Sequence, residues 1–331
     1  MSNSRILSAA AILSLFALST EARLLHRAPF EASAVNDRTT TIIRSGSRGA
    51  AVVRAAILLD RAHFSPGEIS DLYTTSLGRA ITAFQQVHRL PPTAIVDPAT
   101  WKALEEDDAS GIILVPYVVT AAEVAGPFVN IPHLMRSKSK LKTLGYQTPL
   151  EQFGEKFHTS PALLRLLNPG SSFNRPGATL IVPNVHTAPP AVKAGRIVVD
   201  GTAHTLTAFD ASDKVIAMYP ATVGSRHDPL PVGQWTIQGV ARTPVFHYNP
   251  GLFWDAAEGD QKAVIAAGPN NPVGVVWIDL SKEHYGIHGT PEPASVGATY
   301  SHGCIRLTNW DALDLAAIVG PGTPAILQNG E

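Results

Sequence analysis

Apolar positions divide the chain into stretches of different period. Leu77, Ala80, Ile81, Phe84 and Val87 recur at the three- and four-residue spacing of an amphipathic helix. Ahead of them, "AAVVRAAILLDRAHF" predicts another helix, stopped at Ser65-Pro66-Gly67. Behind them, Asp97 is a good N-cap with Pro98 at the first helical position, opening a short helix through Trp101 and Leu104. Three short helices make a small bundle. The helical period returns from Leu150 to Phe157 and again after Thr159 or Ser160, until Asn168-Pro169-Gly170 ends it. "GATLIVP" then predicts a strand, and "VPYVVT" an earlier one.

From Arg196 the pattern is that of strands. "RIVVDGTAHTLTAFD" and "KVIAMYPATV" are β-branched runs separated by turn residues, and "GQWTIQGV", "PVGVVWIDL" and "GTPAILQN" continue the theme. Only "NWDALDLAAIV" reads as a helix here, with Thr308 or Asn309 as its cap and Asp311 in the dipole-favoured first turn. The expected architecture is multidomain: a small α-bundle, a mixed α/β segment, and a β-dominated domain with one helix. The polar stretch 23–47 and the proline- and alanine-rich stretch 185–194 are expected to be linkers.

The N-terminus changes the picture. Arg5 precedes "ILSAAAILSLFALS", an uncharged apolar run shorter than the about 20 residues of a membrane span but suited to a secretory signal. Residues 1–22 are expected to be a signal peptide, the alternative being a buried N-terminal helix. Export places the protein in the periplasm or cell envelope. Hydrophobic residues make up 45% of the 331 and charged ones 16%, as in a soluble globular protein. A net charge of −1 with no long basic block argues against nucleic acid as a partner.

Export also sharpens one chemical question. Cys304, in "YSHGCIRLTNWDAL", is the only cysteine, so it has no internal disulfide partner. An unpaired thiol in an oxidising compartment is a liability. Either Cys304 is a buried apolar filler or it is a nucleophile. The thiolate is the nucleophile, and a free cysteine with pKa ~8.5 is mostly protonated at neutral pH, so it needs a base or fixed dipoles. His302 lies two residues before it and His288 on a separate strand end. Gly303 lets the backbone approach a substrate, so the amides of Gly303 and Cys304 can form an oxyanion hole. These neighbours predict a thiol pKa below ~8.5. Arg306 suits either a substrate carboxylate or a surface ion pair.

"IHGT" followed by "SVGATYSHGCIRLTNWDAL" resembles the L,D-transpeptidase family with the YkuD-type catalytic domain, a likeness extending through "MYPATVG", "LPVGQWTI" and "GPNNPVGVVWIDL" and covering 195–328. The resemblance implies that Cys304 accepts the acyl group and that His288 is its base, oriented by the backbone carbonyl of Gly289. It implies that His302 and Arg306 support the loop and the substrate, with Gly303 and Ser301 beside them in the oxyanion loop. The implied donor is a peptidoglycan tetrapeptide stem, attacked at its third residue with release of D-alanine. The acceptor is an amine of a second stem or of a wall-anchored protein. No cofactor is implied, and carbapenem-type β-lactams are expected to acylate the same sulfur. Residues 48–108, with "RGAAVVRAAILLD", "AITAFQQVHRL" and "DPATWKAL", resemble a peptidoglycan-binding three-helix domain, departing from it where "TAIVD" replaces an Asp-Gly turn. Residues 113–184 resemble a glycan-binding LysM module. Three other readings stand beside this one: an L,D-carboxypeptidase or endopeptidase using water, a non-catalytic peptidoglycan-binding protein, and a zinc hydrolase built from His284, His288, His302 and Cys304.

Overall fold

A computed structural model describes residues 30–108, 111–185 and 188–330. The expected signal peptide lies outside them. No helix among the described residues is long and apolar enough to cross a membrane.

The first module contains α1 (Ser33–Asn36), α2 (Ala50–Arg61), α3 (Thr75–Val87) and α4 (Pro98–Asp107). Local chemistry sets the starts of the last two. The Thr74 side chain accepts from Leu77 N at α3, and Asp97 accepts from Thr100 N at α4. The helices close over Ile57, Phe64, Leu77, Ile81, Phe84, Trp101 and Leu104. At "TAIVD", Ala94 adopts φ +57°, the left-handed conformation that glycine takes freely. Gln85 compensates by accepting from the amides of Thr93 and Ala94 while donating to Ile95 O at 2.8 Å.

The stretch 23–47 does not behave as a linker over its described part. Val35 and Ile43 are buried in the bundle core. Ile43 exchanges backbone hydrogen bonds with Val96, and the Arg54 guanidinium donates to Val35 O and Asn36 O. Two apolar anchors in a polar segment fix it there.

The second module contains β1 (Leu114–Val118), α5 (Ala121–Val124), α6 (Met135–Lys138), α7 (Pro149–Lys156), α8 (Pro161–Leu167) and β2 (Thr179–Pro183). The two strands pair antiparallel, with Pro116 opposite Ile181. Phe153, Phe157 and Leu164 pack against Leu180 and Val182 beneath them. Thr148 and Ser160 cap α7 and α8.

The third module holds β3 (Arg196–Asp200), β4 (Thr205–Phe209), β5 (Val215–Pro220), β6 (Gly233–Arg242), β7 (Phe246–Tyr248), β8 (Ala263–Ile265), β9 (Val276–Leu280), β10 (Gly286–His288), β11 (Ile305–Arg306), α9 (Asn309–Ile318) and β12 (Pro324–Gln328). Eight strands form one sheet in the order β11-β10-β9-β6-β12-β3-β4-β5, and β7 and β8 form a separate hairpin. Helix α9 is capped by Thr308 and buried on nearly every side. That burial explains its apolar character around most of its circumference.

The modules are joined by backbone. Ser65 N donates to Met218 O and Met218 N to His63 O; Ile69 N donates to His158 O and Ser160 N to Ile69 O. At this junction the buried acids Asp60, Asp311 and Asp314 meet side chains of all three modules. His158 Nδ1 is 2.9 Å from Asp60, His63 Nδ1 is 3.3 Å from Asp314, and the hydroxyls of Ser65 and Tyr219 donate to Asp311 and Asp314. Burial pushes the Asp311 carboxyl up to about 8, helped by the charges of Asp60 and Asp314 and opposed by hydrogen bonds from Thr308 and Ser65.

An unfolded aspartate titrates near ~3.9, so between about pH 4 and 8 the folded protein holds a proton here that the unfolded chain has lost. Stability therefore falls as pH rises through that window. Partly buried Glu155, pushed up to about 8 by desolvation, and Glu68, pushed up to about 7, act in the same direction. Thermal unfolding should give a higher Tm at mildly acidic than at mildly alkaline pH, and Asp311→Asn should flatten the slope. An unchanged slope in that variant would place the proton elsewhere.

Candidate active site

Strands β10 and β11 run parallel side by side, with Ile287 opposite Ile305 and His288 opposite Arg306. The two isoleucines are fully buried in the core. Alternation along the strands sends Cys304, Arg306 and His288 to the other face. On β9, Trp277 pairs with His288, and its indole stacks on the imidazole at 5.6 Å and 15°.

His288 Nδ1 lies 2.6 Å from Gly289 O. A carbonyl only accepts, so Nδ1 carries the proton and Nε2 keeps its lone pair. Burial pushes the imidazole pKa down to about 3, Arg306 adds to the shift, and the bond to Gly289 opposes it. At neutral pH His288 is an uncharged base.

The Cys304 thiol moves the opposite way from the expectation of a lowered pKa. Burial pushes it up, and a backbone hydrogen bond from Gly286 and the Arg306 charge only partly offset that. The resting pair is therefore thiol and neutral imidazole. The sequence showed the histidine, glycine and arginine neighbours but not the desolvation, which outweighs them.

Gly303 has φ +94°, and a Cβ there would sit 2.6 Å from the Tyr285 ring. Both the turn and the close approach require glycine. The Ser301 hydroxyl donates to Cys304 O at 2.6 Å, so it locks the turn and is not directed at an oxyanion. His302 turns to the loop between β7 and β8: its Nε2 is 2.8 Å from Asp255 Oδ1, and Phe253 meets its ring edge-on. Arg306 exchanges both backbone hydrogen bonds with Thr222, and its half-buried guanidinium senses Cys304, Glu292 and Asp255.

Asn309 and Glu155 complete the support of His288; from the sequence Asn309 was only a candidate helix cap and Glu155 had no role. Asn309 Oδ1 accepts from Val275 N, and its Nδ2 donates to Glu155 Oε1 at 2.9 Å and to Pro269 O. The same Oδ1 is 2.2 Å from where a Gly289 Cβ would lie. Asn309 thus braces the turn whose carbonyl orients His288, and α7 of the second module braces Asn309. The position of Asn309 just after the cysteine motif was a usable signal; Glu155, far away in sequence, left none. As for the zinc alternative, no group of three or more His, Cys, Asp or Glu side chains among the described residues is arranged to hold a metal ion. His284 is exposed beside Glu283, and His302 is committed to Asp255.

Residues 194–327 match the L,D-transpeptidase catalytic domain, and residues 48–104 match the family described as "Putative peptidoglycan binding domain". The "Putative L,D-transpeptidase YkuD" of Bacillus licheniformis is 35% identical over 176 residues, covering 53% of this chain and 90% of that protein. The "Probable L,D-transpeptidase YbiS" of Escherichia coli K12 is 27% identical over 225 residues, covering 65% of this chain and 72% of that protein. The chain belongs to the L,D-transpeptidase family.

Two outcomes follow from this geometry. Iodoacetamide alkylation of Cys304 should inflect above the ~8.5 of a free cysteine, and Arg306→Ala should move the inflection further up. An inflection below that value would contradict the burial argument. Gly289→Ala drives a methyl into Asn309 and displaces the carbonyl from His288. It should slow acylation of Cys304 at least about tenfold without changing the far-UV circular dichroism. Wild-type acylation rates in this variant would separate the turn from the site.

Proposed function

We propose that the protein is a peptidoglycan L,D-transpeptidase of the cell envelope in which Cys304 is the nucleophile and His288 its base. The observation that most supports this reading is the Gly289 carbonyl holding the His288 tautomer on β10, a strand paired parallel with β11, which Cys304 immediately precedes.

The sulfur attacks the third-residue carbonyl of a tetrapeptide stem as its proton passes to His288 Nε2. Because burial disfavours both thiolate and imidazolium, proton transfer accompanies S–C bond formation and does not precede it. Amides around Gly303 and Cys304 hold the oxyanion. When the tetrahedral adduct collapses, the C–N bond breaks and His288 returns the proton to the departing D-alanine amine. An acceptor amine, from a second stem or a wall-anchored protein, then attacks the thioester and loses a proton to His288. The sulfur leaves, regaining its proton as the thiol. Arg306 lends positive charge near the sulfur throughout.

We also infer that residues 1–22 direct export and that 48–108 and 113–184 hold the enzyme on the wall. The strand–helices–strand order of the second module supports the LysM-like reading.

Intact mass after exposure to a carbapenem tests the chemistry. Wild type should gain one adduct and Cys304→Ala none, while His288→Ala should acylate about 100-fold or more slowly. An adduct on the alanine variant would place the nucleophile elsewhere. The defined tetrapeptide muropeptide should yield a cross-linked product and free D-alanine.

A further inference from the structure

Residues 125–147 belong to the second module by sequence and pack on the third. Leu144 is fully buried with Tyr248 and Ile265 of the β7–β8 hairpin, joined by Ile131, Met135, Leu141 and Phe253. Backbone fixes the seam: Leu144 N donates to Ala267 O at 3.0 Å, Asn270 N to Leu144 O at 2.9 Å, and Asn270 Nδ2 to Gly145 O at 2.9 Å. At Gly268, with φ +146°, a Cβ would fall 2.2 Å from Leu144 O, so only glycine admits the contact. The hairpin held this way is the one whose loop supplies Asp255 to His302.

The segment has one sign of charge. From Ala125 to Leu150 there is no Asp or Glu, while Arg136, Lys138, Lys140 and Lys142 follow one another within seven residues. Arg136, Lys140 and Lys142 are exposed. Lys138 is partly buried on α6, which rests against β8. None of the four is in an ion pair among the described residues. A cation run on a solvated loop would need no explanation. Here the run is pinned by a packed core, and one member is partly desolvated without a bonded counter-ion, which costs stability. Glu292 stands between the run and the thiol: its carboxylate acts on both Lys138 and Arg306, and Arg306 acts on Cys304.

We propose that this insertion is a docking surface for the acidic stem peptide, a strip running from Lys142 past Lys138 to Arg306 that binds carboxylates of the acyl donor. The proposal rests on the reading of a peptidoglycan stem as that donor. An unamidated stem carries free carboxylates beside the scissile bond, spaced along an extended peptide, and two groups of cations, the run 136–142 and, beyond Glu292, Arg306 beside the thiol, offer them partners. A carbapenem is too small to span the strip. The insertion should therefore govern peptide recognition and leave β-lactam acylation alone.

The test uses the full-length chain with Arg136, Lys140 and Lys142 changed together to Glu, and separately Lys138→Met, which keeps the packed stem without the charge. Turnover of a soluble tetrapeptide muropeptide and acylation by a carbapenem are measured side by side at low and physiological ionic strength. For the triple variant, KM for the free-acid stem should rise about tenfold or more, kcat should change little, and the salt dependence should reverse, because three attractive charges become repulsive. Lys138→Met should raise KM in the same sense, and wild type should prefer the free-acid stem to its carboxamide form. Carbapenem acylation should match wild type in every variant. Unchanged KM in both variants overturns the proposal. So does unchanged KM combined with lost binding to anionic lipid vesicles, which would assign the strip to a membrane surface. Should carbapenem acylation also fall in the triple variant, Lys140→Ala with Lys142→Ala decides, because both side chains are exposed: an unchanged KM there again overturns it. A wild type that takes no carbapenem adduct fails the nucleophile assignment instead.

Discussion

A single hydrogen bond, from His288 Nδ1 to the Gly289 carbonyl, determines which ring nitrogen of His288 keeps its lone pair. It selects the tautomer, and the buried surroundings keep the ring uncharged. The rest of the local structure keeps that carbonyl in place. Gly274, with φ +61°, and Gly289 leave room for Asn309, whose amide is tied on one side to Val275 and on the other to Glu155. Because Glu155 comes from α7, a residue outside the catalytic module completes the support of the base.

The same desolvation that keeps His288 neutral keeps Cys304 protonated. In the proposed mechanism, charge separation is therefore deferred until a substrate supplies an electrophilic carbon and an oxyanion for the amides to hold. Arg306 acts on both members, lowering the thiol and the imidazole pKa together, so it favours the sulfur without creating a resting ion pair. Opposed terms of this kind cannot be summed from neighbours along the chain.

What the sequence revealed and what it hid divide along a physical line. Caps at Asp97, Ser160 and Thr308, the strand runs after Arg196 and the Cys304 motif are all local, and each was legible. The bound segment 30–47, the basic insertion seated on the hairpin and the Asp60–Asp311–Asp314 junction depend on contacts between residues far apart, which periodicity does not encode. Ala94 lies between the two. The missing Asp-Gly was visible, but the Gln85 and Tyr73 contacts that hold an alanine at positive φ were not. His302 is a related case: adjacency to Cys304 does not tell where the Gly303 turn sends its ring, which is to Asp255.

The protonated state of Cys304 has a consequence for the lifetime of the protein. Peroxides and foreign disulfides react with the thiolate, so a site that withholds ionisation is also slow to corrode. A lone sulfur with no neighbour to rescue it as a disulfide gains persistence from the desolvation that keeps it a thiol at rest. In the proposed chemistry its reactivity is released only when a substrate reaches it.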